Sequence, residues 1–106
     1  MPAVTLRAKP IDIKAVQYTG DNVHEINVEM LGRKAFGPVP CVREYPGDQA
    51  YPAAYQDPDI TAEVWNSERK QWLPLKAHDW VLQGPLGEFY PARPEAVAAK
   101  YLAPAA

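Results

Sequence analysis

Cysteine is nearly missing from this chain: Cys41 is the only one in 106 residues. A disulfide within the chain is therefore impossible, and a cysteine-rich metal site is excluded. Histidine is almost as scarce, with His24 and His78 alone. Neither stands at a zinc-ligand spacing from the other, from Cys41 or from Asp79, so no metal and no cofactor is expected. Serine occurs once, as Ser67 in a polar turn. His78 and Asp79 adjoin, but strand neighbours point to opposite faces, and that spacing builds no relay. With no catalytic set, the chain reads as non-enzymatic. No apolar run approaches the roughly 20 residues of a membrane span. The opening residues lack the apolar core of a signal peptide. A lone thiol suits a reducing compartment, and a cytoplasmic location is expected. A net charge of −2 supplies no bulk attraction to nucleic acid or to an anionic membrane.

What is present is ordinary for a globular protein: 47% hydrophobic and 23% charged residues. The length fits one domain, 1–106, able to bury on the order of 60–70% of its unfolded surface. The stretch Asp79 to Pro91 organises the rest. Trp80 to Gln83 and Glu88 to Tyr90 read as the arms of a β-hairpin around a turn framed by Gly84 and Gly87. The rings of Trp80 and Phe89 are expected to close over a helix, because aromatic side chains dominate burial in a small core.

That helix is predicted over 22–31. Asn22 stands at its N-cap with Glu25 three residues on, a capping-box spacing. Val23, Ile26, Met30 and Leu31 share one face, with Asn27 between them, and Gly32 ends the helix. Before it, 11–18 alternates as a strand, with a change of apolar parity at Val16 and Tyr18 that implies a bulge or burial on both faces. Residues 35–59 are proline-rich, which removes backbone donors and reads as a long loop with at most an edge strand over 38–43. From Ile60 to Tyr90 the pattern predicts a four-stranded antiparallel meander, with Pro74 demanding an edge or a bulge. Pro94 starts a short helix at the tolerated first position, with Val97 and Tyr101 inward. The expected fold is α+β: a curled antiparallel sheet or partly closed barrel, one capped helix packed on it and a short C-terminal helix.

Two segments, Lys9-Pro10 with Ala15-Val16-Gln17-Tyr18-Thr19-Gly20-Asp21-Asn22, and Asp79-Trp80-Val81-Leu82-Gln83-Gly84 with Gly87-Glu88-Phe89-Tyr90-Pro91, resemble a family of small proteins encoded by tailed bacteriophages. Ala62-Glu63-Val64-Trp65 and Trp72 resemble that family's middle hairpin. The likeness covers roughly half the chain. Two positions depart from it: His78 stands where glycine is usual, and Ala92 where cysteine is common. The resemblance implies a phage or prophage origin and expression inside a bacterial host. It implies no activity.

The candidate binding residues follow. Trp65, Trp72 and Tyr90, with Arg93 or Lys100 at the rim, could wall a small-molecule pocket suited to a base and a phosphate. Trp65 and Trp72 could instead form a cross-strand pair, and exposed rings would then mark a partner site. Tyr45, Tyr51 and Tyr55 on the long loop are candidate partner contacts, since tyrosine supplies broad area at low entropic cost. Gly84-Pro85-Leu86-Gly87 is too short for a phosphate loop. The leading expectation is a phage accessory protein that binds a host or phage protein. The alternatives are a nucleotide-sequestering protein and a minor virion or assembly component. Homodimerisation is compatible with all three.

Overall fold

A computed structural model describes residues 3–6, 12–33, 37, 39–45 and 58–101. In chain order the elements are β1 (Lys14–Gln17), α1 (Val23–Leu31), β2 (Val42–Glu44), β3 (Ile60–Asn66), β4 (Gln71–Lys76), β5 (Trp80–Gln83), β6 (Phe89–Ala92) and α2 (Pro94–Lys100). The fold is α+β, with all strand pairs antiparallel. The strands of 60–92 do not form one continuous meander. They divide between two three-stranded sheets, β1-β5-β6 and β2-β3-β4. The two hairpins, β3-β4 and β5-β6, are where expected, but β4 does not pair with β5.

The turn between them explains the division. Asp79 N–H donates to Lys76 O, and the Asp79 carboxylate accepts the Lys76 N–H at 2.9 Å. His78 sits in this turn at φ +77°, the left-handed region that favours glycine. The chain then leaves β4 and meets Tyr18, whose N–H donates to Asp79 O and whose carbonyl accepts the His78 N–H. A long-range partner, β1, has captured β5.

β1 is shorter than the predicted strand, and its register against β5 runs without a break. The change of parity reflects no bulge. Val16 and Tyr18 carry the inward face, while Ala15 is exposed. Tyr18 is the most buried ring described, at 1% exposure, with its hydroxyl 2.8 Å from Thr61 Oγ1. It joins Ile26, Met30, Cys41, Val42, Ala62, Val64, Leu75 and Val81 in the core, and Phe89 packs against them. Trp80 is only half-buried, so the expectation that its ring closes the core is corrected: Tyr18 and Phe89 do so.

α1 matches the predicted helix within a residue, but Asn22 does not cap it. Its side chain turns back to the strand, accepting the Thr19 N–H and donating to Gln17 O. Asn27, deep under the helix, makes a second such tie. Its Nδ2 donates to Val42 O at 2.8 Å, and its Oδ1 accepts the N–H groups of Cys41 and Val42 at 3.0 Å each. Trp65 N–H donates to Cys41 O and Tyr45 N–H to Thr61 O. The odd residues of β2 therefore face β3, and Val42 faces the other way. Asn27 thus stands in for a missing strand on the edge of β2. Across the molecule, Asn66 Nδ2 donates to Phe89 O, linking β3 to β6.

Candidate partner-binding face

Alternation along β3 puts Ala62 and Val64 in the core and Glu63 and Trp65 on the opposite face. The register places Arg43 opposite Glu63, Glu63 opposite Pro74 and Trp65 opposite Trp72. Five side chains from three strands therefore share this face. Trp65 and Trp72 form the cross-strand pair that the sequence allowed, edge to face, with centroids 5.5 Å apart. Such a pair adds about 0.5–1.5 kcal/mol beyond its buried area. Both rings are half-buried.

Arg43 reaches across the sheet. Its Nε donates to the Glu63 carboxylate, and its guanidinium carbon lies 4.0 Å from the centroid of the Trp72 ring. Glu63 is 1% exposed although it lies on the face away from the core, whereas the Arg43 side chain keeps 39% of its surface. A carboxylate this deep is tolerable only when paired. Trp72 beneath the guanidinium supplies a cation–π contact of about 0.5–1 kcal/mol. These contacts fix a long, flexible side chain in one place.

The other candidates lie elsewhere. Tyr90, on β6, lines an open groove of about 580 Å³ with Asn66, Arg69, Leu73, Pro74 and Pro91. Trp65 and Trp72 do not line it, so the three rings do not wall one pocket. Burial chiefly, then the Tyr101 hydroxyl and the Glu88 charge, push the Tyr90 hydroxyl up to about 12. Arg93 binds the buried Asp79 carboxylate at 2.5 Å and stands 3.6 Å from Glu95. It holds the β4–β5 turn to the start of α2. Lys100 is exposed in the last turn of α2. Tyr45 is half-buried beside β3, and Tyr51 and Tyr55 lie outside the described residues.

Glu88 has a local role. Its carboxylate accepts the Leu86 N–H at 3.0 Å and lies where a side chain on Gly84 would be, 1.8 Å from the position of a Cβ there. Gly87 adopts φ +86°. The Gly-x-x-Gly-Glu run is thus the construction of one hairpin turn.

No family model, curated protein or solved structure matches this chain. Among the described residues no three His, Cys, Asp or Glu side chains gather as a metal site requires, and no helix is long and apolar enough to cross a membrane. Sequence reasoning missed Arg43 and Glu63. The available signal was Glu63-x-Trp65, a same-face pair on an alternating strand. The partner of that pair came from a proline-rich stretch with no periodicity to read.

Proposed function

We propose that this chain is a phage- or prophage-encoded accessory protein that acts in the host cytoplasm by binding a host or phage protein, without chemistry of its own. The observation that carries the reading is the Arg43–Trp72–Trp65 cluster on the face of β2-β3-β4 turned from the core. Tryptophan and arginine are the residues enriched at the energetic centres of protein interfaces. An arginine already immobilised loses little side-chain entropy on binding. The segments that resemble tailed-phage proteins support the origin.

The test is affinity capture from bacterial host extract with wild-type protein and with a Trp72→Ala variant that retains its fold by circular dichroism. A partner held by the wild type and released by the variant supports the reading. Equal retention by both, or measured turnover of any substrate, overturns it. The nucleotide alternative has a cation beside aromatic rings in its favour, but Arg43 already covers the Trp72 ring that a base would need. A thermal-shift screen against nucleotides separates the two, because a ligand at a hundredfold excess over Kd adds about 2.7 kcal/mol of stability.

A further inference from the structure

The proposed binding face carries a feature specific enough to name what it recognises. Arg43 spends its Nε on Glu63 and one face of its guanidinium on Trp72. Its two Nη groups have no hydrogen-bond or ion-pair partner among the described residues, and the side chain keeps 39% of its surface. A guanidinium held by its inner edge and by one face presents the remaining N–H groups as a fixed fork, and that geometry matches a planar carboxylate. Trp72, under the guanidinium, and its cross-strand partner Trp65 are both half-buried and give the same face an apolar surface.

We infer that the Arg43 fork is a receptor for an Asp or Glu side chain on a partner protein segment, with the residue next to that carboxylate seated on Trp65 and Trp72. The inference rests on the reading of this chain as a protein-binding module and gives that reading its chemistry. The charge balance favours a carboxylate over a phosphate. Glu63 already offsets the arginine. Glu63 would repel a dianion about twice as strongly as a carboxylate, which brings a single charge to the fork. A nucleic acid, whose affinity grows with the number of phosphates neutralised, finds one arginine here on a chain of net charge −2.

The experiment is selection of a random short-peptide library on the intact protein, followed by titration of the recovered peptides. Selected sequences should be enriched in Asp or Glu next to an apolar residue. Replacing that acid by its amide should abolish binding, and Arg43→Lys, which keeps the charge but loses the fork, should weaken it about tenfold. The indole Nε1–H signals of Trp65 and Trp72 should shift on binding. Arg43→Lys preserves an ion pair to Glu63, so a fold check by circular dichroism accompanies it, and Trp72→Phe provides a second variant. Binders without acidic enrichment, or binders indifferent to Arg43→Lys and Trp72→Phe, overturn the carboxylate site while leaving the binding-module reading standing. Recovery of no binders overturns both. Inorganic phosphate competing more strongly than acetate would reverse the assignment of the fork.

Discussion

Two buried side chains at one spot, Asn27 and Cys41, show how much a single residue can hold. Asn27 is 6% exposed and satisfies both polar groups of Val42 together with the Cys41 amide. Asn27→Asp would keep the acceptors but lose the donor to Val42 O and bury a charge. A buried orphan costs about 1–3 kcal/mol, more when charged, so urea denaturation should show a loss of about 2–4 kcal/mol. Cys41 gives a pH signature. Burial pushes its thiol from an ordinary 9.0 up to about 11, against a smaller opposing backbone hydrogen bond. The folded state therefore holds its proton where the unfolded chain has released it. The resulting stability is fully present below about pH 9 and is lost as pH rises toward about 11. Cys41→Ala should flatten that part of the pH–stability curve, while the loss tied to Tyr90, whose hydroxyl is raised to about 12, persists at higher pH. Denaturation midpoints measured across this range check it.

The elements were legible in proportion to how local their causes are. α1 carries its own periodicity and its terminal glycine, and it appears within a residue of the predicted span. The β5-β6 hairpin carries its own turn chemistry. There Gly84 and Glu88 act as one unit, because the carboxylate occupies the space a Cβ at Gly84 would need. Gly84→Ala should expel the carboxylate from the Leu86 N–H and cost up to about 1.5–3 kcal/mol, the value of a hydrogen bond to a charged group. In a Glu88→Ala background the same change should cost little. The double-mutant cycle should therefore show strong coupling, and additive losses would separate the two residues. What the sequence could not disclose is which strand β5 joins. That depends on Tyr18, far away in the chain, taking the backbone of His78 and Asp79. The candidate face was half legible: Trp65 and Trp72 were visible as a pair, but Arg43 reaches them from a strand only three residues long, too short for a pattern.

At the scale of the molecule, open sheets create edges, and edges invite other chains. Here the edges are closed by two different devices. On the side of α1, Asn22 takes Gln17 O of β1 and Asn27 takes Val42 of β2. On the opposite side the edge strands are β4 and β6, and each carries a proline. Pro74 pairs with Glu63, an odd residue of β3 in the set that bonds to β2, so the backbone of Pro74 faces the free edge. Gly84 N–H donates to Glu88 O, which sets the even residues of β6 toward β5 and turns Pro91 outward. Both prolines sit where a strand would offer its donor, and both line the groove between the sheets. At each proline an incoming strand meets a carbonyl without its matching N–H. Replacing both, Pro74→Thr with Pro91→Thr, would restore a donor to each edge without removing a core side chain. Both prolines are half-buried on edge strands, and folding stability should change by no more than about 1 kcal/mol, the span of strand propensities. Association should change: sedimentation velocity should show the double variant forming dimers and larger species at concentrations where the wild type sediments unchanged. If the variant sediments as the wild type does, the prolines are not what guards these edges, and the side chains of the groove, Tyr90 and Leu73 first among them, become the residues that keep other strands away.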